Sequence, residues 1–296
     1  MRQSEEDTAE YAPVVEPKVP VVAESFDEVN FEIGAITHPG RVRSRNEDQY
    51  AVVRRTRTGR VLASSLPDGV LPTGEERAWL LVVADGLGGE VSGDVASATA
   101  IRTVLEFANR LSSWIMRPGD DLRDDIADRA DLYAQAIQRE MQEQAKLDPG
   151  LAGMATTLTA AYVFGEDAVV VNIGDSRTYL IRSNQIHQIT HDHTLAQEMQ
   201  DDGRSPQAAR PFRNVVSRCF TTEMESAKLD LFHVRLAVDD QLLLCTDGLT
   251  DMLADPEILR ITTAASSAKD GCEQLVAAAL DHGGRDNVTV VLARLC

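Results

Sequence analysis

The residues in this chain best suited to chemistry are carboxylates placed at the ends of apolar runs. WLLVVADGLGG sets Asp85 directly after a buried run, with Gly86, Gly88 and Gly89 behind it, and QLLLCTDGLTD repeats the arrangement with Asp247 and Gly248. VVVNIGDSR reaches Asp175, GGRDNVTVVL puts Asp286 and Asn287 at the mouth of a strand, and RVRSRNEDQYAVV sets Glu47 and Asp48 at the entrance to another. Singly, each has an ordinary reading. Asp-Gly after a strand is a common turn, and the acidic pair could be a turn as well. Jointly they ask for cations. Carboxylates about 4 Å apart repel by roughly 4 kcal/mol per pair at an effective dielectric near 20. An all-oxygen set with no supporting His or Cys cluster suits hard ions, Mg²⁺ or Mn²⁺. A glycine after the aspartate lets the backbone carbonyl turn toward such an ion. Two ions about 3.5–4 Å apart would ionise a water and clamp a phosphoryl group. Chemistry alone therefore points to a two-metal hydrolase acting on a phosphate ester.

Competing templates are absent: the sequence has no GxxxxGK[ST], GxSxG or HExxH and no kinase-like HRD with DFG. His191-Asp192-His193 could bind a metal, but it stands in a polar stretch after a strand, where a turn or flap role fits better. With 29 Lys and Arg against 47 Asp and Glu, the net charge is −18. That argues against a nucleic-acid backbone or an anionic membrane surface as partner. MRQSEEDTAE has no basic-then-apolar signal pattern, and no apolar stretch nears the roughly 18 residues of a membrane span. Cys219, Cys245, Cys272 and Cys296 are scattered, with no CxxC pair. The expectation is a soluble, cytoplasmic protein.

The elements that must position the acids can be read from periodicity. Short runs rich in Val, Ile, Leu and Tyr predict strands at 49–53, 79–84, 157–164, 168–173, 178–181, 241–245 and 287–292. The links GED and GDSR are too short for a crossover helix, so the strands around each are expected to form antiparallel hairpins. On spacing alone, Asp175 is then a hairpin-turn residue. Helical spacing predicts a helix over 93–111, with Val95, Ala98, Ile101, Leu105, Ala108 and Leu111 on one face and Ser92 as N-cap. A second is predicted over 120–145, with Leu122, Ile126, Tyr133, Ile137 and Met141 inward, and others at 194–202, 255–265 and 270–281. Blocks of antiparallel strands with paired helices indicate α+β layers. Residues 1–29 mix acids, prolines and valine pairs and are expected to be a flexible arm ahead of one catalytic domain, 30–296.

Seven segments, taken in order, resemble the metal-dependent protein phosphatases of the protein phosphatase 2C family in their bacterial form. They are GRVRSRNED (40–48), VVADGLGGEVSGDVAS (82–97), GMATTLTAA (153–161), NIGDSRTYLIR (172–182), ITHDHTLAQEM (189–199), LLLCTDGLTDML (242–253) and GGRDNVTVVLARL (283–295). The resemblance implies a four-layer αββα sandwich, two antiparallel sheets flanked by helix pairs, with two Mn²⁺ or Mg²⁺ ions at one edge. By family pattern Asp85 bridges both ions and the Gly86 carbonyl binds one. Asp247 and Asp286 bind directly, Glu47 and Asp48 act mostly through waters, and Asn287 supports them from behind. Asp175 with Asp247 matches the site of a weaker third ion. Arg43 matches the arginine that holds the substrate phosphate, a task for a planar fork. On an extended segment Arg41, Arg43 and Arg45 would share a face, so spacing alone does not choose among them. Arg43, Asp85 and Asp247 are the expected catalytic residues. Leu87 stands where eukaryotic relatives carry a histidine that protonates the leaving oxygen, so the general acid is not identifiable. Phe220-Thr221-Thr222, within RNVVSRCFTTEMES (213–226), departs from the glycine usual there, and 54–78 reads as an insertion or an enlarged hairpin.

The implied activity is hydrolysis of phosphoserine and phosphothreonine in proteins by a metal-bridging hydroxide. The implied setting is signalling opposite a Ser/Thr kinase, with phosphorylated proteins, that kinase included, as partners of a monomer. A pseudophosphatase that binds phosphoproteins without turnover and a small-molecule phosphatase are the rivals. The intact acidic set speaks against the first.

Overall fold

A computed structural model describes residues 30–67, 74–87, 92–110, 122–223 and 226–296; the arm expected at 1–29 lies outside the described residues. Strands buried on both faces read as unbroken apolar runs, and here they build two antiparallel sheets. One sheet has the order β11 (Asp230–Arg235), β7 (Asp167–Ile173), β6 (Leu158–Phe164), β3 (Gly74–Ala84) and β2 (Gln49–Gly59). The other runs β1 (Phe31–His38), β13 (Val288–Leu295), β12 (Gln241–Cys245), β8 (Arg177–Arg182) and β9 (Gln185–Gln188). A minor ladder joins β10 (Phe220–Thr221), β5 (Ala155–Thr156) and β4 (Gly86–Leu87).

Alternation along each strand sorts the apolar side chains into three cores. On β3, Leu80, Val82 and Ala84 pack with α1 (Gly93–Arg110) and α2 (Leu122–Leu147) through Ala96, Ala100, Ile137 and Met141. Their neighbours Leu81 and Val83 turn the other way, into a layer shared with Leu242, Leu244, Val291 and Ala293 of the second sheet. On the outer side of that sheet, Val288, Val290 and Leu292 meet Ile258, Cys272 and Leu275 of α6 (Asp255–Ala264) and α7 (Ala268–Asp281). Helix pair, sheet, sheet, helix pair is the expected α+β sandwich. Among the described residues no helix is long and apolar enough to cross a membrane.

Two expectations change. The GDSR link is not a hairpin: β7 belongs to one sheet and β8 to the other, so Asp175 sits on a corner that changes layer. A short link forbids a helix but does not require that its two strands pair. Ala98 is exposed, while Val95, Ile101 and Leu105 face inward as expected and are joined there by Ala96, Ala100 and Val104. The small residues let the helix approach the sheet closely. The side chains of Ala108, Leu111, Leu122 and Ile126 lie outside the described residues. Of the two readings of 54–78, the enlarged hairpin holds, with β2 and β3 paired from Gln49↔Ala84 out to Gly59↔Gly74.

Candidate active site

Strand termini from both sheets meet at one end of the sandwich. The first sheet brings Asp48 just ahead of β2 and Asp85 just after β3, level because Gln49 pairs with Ala84. The second brings Asp175 ahead of β8, Asp247 after β12 and Asp286 ahead of β13. Those three are level because Cys245 pairs with both Arg177 and Val290.

Backbone clamps hold the acids in place. The Asp85 N–H donates to Thr157 Oγ1 (3.0 Å), and its carbonyl accepts from the Thr157 N–H (2.9 Å) and the Thr156 hydroxyl (2.8 Å). The Glu47 carbonyl accepts from the Gly86 N–H (3.2 Å) and the Ser97 hydroxyl (2.6 Å). Asn287 ties the preceding loop to β13: its Oδ1 accepts from the Glu47 N–H (2.7 Å), and its Nδ2 donates to the carbonyls of Pro39 (2.9 Å) and Arg45 (2.8 Å). α5 (Asp247–Thr250) begins on Asp247 and packs against the same strand. A Cβ on Gly248 would lie 1.8 Å from the Asn287 carbonyl oxygen, so only glycine fits. Gly248→Ala should lower unfolding stability by about 1–3 kcal/mol, measured as a shift in denaturant midpoint at unchanged slope.

The electrostatics are strained. Asp48 is 1% exposed, and its Oδ2 accepts from the hydroxyls of Thr246 (2.8 Å) and Thr289 (2.7 Å). Its Oδ1, with Asp175 Oδ1 and Asp247 Oδ1, is buried without a hydrogen-bonding partner. Burial is the main force on all of these groups. It pushes Asp48 up to about 7 against the pull of its two threonines, and Asp175 up to about 6. Asp85 and Asp247 are held well above the carboxylate range by burial and then by neighbouring acids, Asp48 first for Asp85 and Asp175 first for Asp247. Burial raises Glu47 as well. Asp286 is turned to Arg43, whose Nη2 donates to its Oδ2 at 2.6 Å. As they stand, no three Asp, Glu, His or Cys side chains among the described residues close on one point as ion ligands do. The chemistry of the set nevertheless fits hard dications: the donors are oxygens, and three buried carboxylate oxygens are unpartnered.

The arginine ambiguity narrows. Residues 39–46 form a turn and bends rather than an extended strand, so the three arginines diverge. Arg43 reaches the acid cluster, Arg41 pairs with Asp281 (3.0 Å), and Arg45 is exposed. The metal reading of His191-Asp192-His193 finds no support. Asp192 takes a bidentate Arg177 (2.9 and 2.6 Å), His191 pairs with Asp201 (2.8 Å) and His193 with Asp230 (3.0 Å). A cavity of about 240 Å³ adjoins the acids, lined by Asp175, Asp247, Asp251, Arg177 and Arg213 and by Gln197 of α3 (Leu195–Asp201). Residues that sequence reasoning missed are the hydroxyls of Ser97, Thr156, Thr157, Thr246 and Thr289, and Asp251. Threonine in a strand reads as β-propensity, which hides its use as a clamp. Asp251 did leave a signal, one helical turn after Asp247.

A family model described as protein phosphatase 2C matches residues 68–282. The serine/threonine phosphatase Stp of Listeria welshimeri is 32% identical over 250 residues, spanning 80% of this chain and 93% of that protein. The serine/threonine protein phosphatase PstP of Mycobacterium tuberculosis is 40% identical over 224 residues, 73% of this chain and 40% of that one. A crystal structure of the PstP catalytic domain in complex with 2 manganese ions matches with a TM-score of 0.69 at 31% identity, covering 90% of this chain and 98% of that chain.

Proposed function

The chain belongs to the protein phosphatase 2C family, and from that premise we propose that it is a metal-dependent phosphatase hydrolysing phosphoserine and phosphothreonine in proteins. The observation that carries this reading is the meeting of strand-end carboxylates from both sheets, three with unpartnered buried oxygens, with Arg43 paired to Asp286 among them. In this reading Glu47, Asp48, Asp85, the Gly86 carbonyl, Asp247 and Asp286 hold two Mn²⁺ or Mg²⁺ ions, and Asp175 with Asp247 holds a weaker third. Bound there, the ions neutralise the acids, make water a nucleophile at neutral pH and draw charge from the phosphoryl oxygens.

The chain's own groups do the rest. Asn287 and the threonine hydroxyls keep the acids in register through the bonds described above. Arg43 offers its guanidinium fork to the phosphate and orients it. Leu87 cannot give the leaving alkoxide a proton, which leaves that task to water held near Asp175 and Asp247. We read the substrates as phosphorylated proteins, a Ser/Thr kinase among them, met in the cytoplasm by a monomer whose catalytic domain spans 30–296.

Turnover of a phosphothreonine peptide beside a generic aryl phosphate, with and without a chelator, tests the proposal. Metal-dependent turnover of the peptide is expected. Aryl phosphate turnover alone would favour a small-molecule enzyme, and neither would favour a binding module. Arg43→Ala should raise KM and weaken inhibition by inorganic phosphate about 10- to 100-fold, the worth of a charge-assisted hydrogen bond. Arg41→Ala and Arg45→Ala should do less. A larger effect at either would misplace the phosphate contact.

A further inference from the structure

The corner that carries Asp175 between the sheets is bonded on both sides by one buried residue, His193. Gly174 has φ +107°, a conformation that favours glycine. Its N–H donates to His193 Nδ1 (3.0 Å), and its carbonyl accepts from the His193 N–H (3.0 Å). A ring nitrogen that accepts from an amide carries no proton, so the proton of His193 is on Nε2, which donates to Asp230 Oδ2 (3.0 Å). His193 is 1% exposed, and burial lowers its pKa, which keeps the ring neutral. The other oxygen of Asp230 accepts from Arg218 Nη1 (3.2 Å), and the His193 carbonyl accepts from the Ser217 N–H (2.8 Å). The Gly174 carbonyl also accepts from Asn172 Nδ2 (3.2 Å), and both polar atoms of the Gly174 backbone bond to His193. Through it they connect to the segment that carries Arg213 on the cavity wall.

We propose that His193 is a positioning residue for Asp175, fixing the Gly174 backbone so that Asp175 stays on the cavity wall it shares with Asp247. The functional half of the histidine is the Nδ1 acceptor; the Nε2 bond to Asp230 sets the tautomer. The proposal deepens the function given above and rests on Asp175 taking part in turnover.

Two near-isosteric variants separate the halves. His193→Asn keeps an acceptor close to Nδ1, and His193→Gln keeps a donor close to Nε2. In metal-free protein, hydrogen exchange of the Gly174 amide, followed by NMR, should stay slow in the Asn variant and accelerate in the Gln variant. With Mn²⁺, His193→Gln should lower kcat on a phosphothreonine peptide about 10²-fold with KM nearly unchanged, the cost of a small misplacement, while His193→Asn should recover most of the loss. Thermal melts of both variants control for folding, and Asp175→Ala is the reference. If Asp175→Ala loses turnover but the Asn and Gln variants behave alike, the positioning role is overturned and the function stands. If Asp175→Ala turns over peptide like the wild type, the reading of Asp175 falls and takes this inference with it.

Discussion

Asp85→Asn is expected to lower phosphopeptide turnover by at least about 10³-fold and, in metal-free protein, to raise the melting temperature. Both effects have one cause. Burial, and after it repulsion from Asp48, Asp247, Asp175 and Asp286, holds the Asp85 carboxyl well above its ordinary range. A neutral amide of the same shape removes that repulsion and keeps the clamps from Thr156 and Thr157, which touch only the backbone of residue 85. The same exchange deletes the charge with which Asp85 would hold cations. Function and metal-free stability should thus move in opposite directions. Steady-state kinetics with Mn²⁺ and calorimetry after chelation measure the pair. A variant that loses activity and stability together would mean that Asp85 is a structural residue.

Chelation is expected to abolish turnover, and either Mn²⁺ or Mg²⁺ to restore it together with thermal stability. The metal-free protein should also melt lower as pH rises. Asp48 titrates at about 7 and Asp175 at about 6 when folded, against 3.8 in the unfolded chain. Between those values the folded state binds more protons than the unfolded, so stability falls with rising pH. The part of this loss due to Asp48 and Asp175 is absent below about pH 4 and grows through about pH 7, and Asp85, Asp247 and Glu47 shift in the same direction. A pH series of melts, with and without Mn²⁺, checks the slope and its removal. Full activity after exhaustive chelation, with metal absence verified by elemental analysis, would sink the metal reading.

What could be read in the sequence depended on where a strand sits in its sheet. β3, β6, β7, β12 and β13 are interior strands, buried on both faces, and their apolar runs with terminal acids were legible. β1, β9 and β11 went unpredicted, and all three are edge strands; the fourth edge, β2, was legible only at 49–53, its apolar start. QIHQ and DLFHVR keep polar residues along exposed edges, and FEIGAITH is interrupted by a glycine, so none shows a clean period. Asp85, Asp247 and Asp286 were visible because an acid beside a buried run is conspicuous. Asp175 was visible as a residue but not as a corner, since strand pairing is decided by tertiary packing rather than by the length of a link. The choice of Arg43 came from the family resemblance, because only the fold distinguishes a turn from an extended segment there. The threonine clamps were invisible for a related reason: what a hydroxyl holds depends on which distant strand lies beside it.

The pairing of β1 with β13, from Phe31↔Leu295 to His38↔Val288, joins segments that lie far apart along the chain. A nascent chain can assemble β2, β3, β6, β7 and β11 while the ribosome is still adding residues, but β1 has no neighbour in its sheet until β13 emerges. The same late strand follows Asp286 and Asn287, which complete the acidic cluster and clamp the loop leading to Glu47. The acidic cluster and the second sheet are therefore completed together, once β13 has emerged. Until then the growing polypeptide cannot act on phosphoproteins around it, and β1 and β12 present open edges of the kind that chaperones shield.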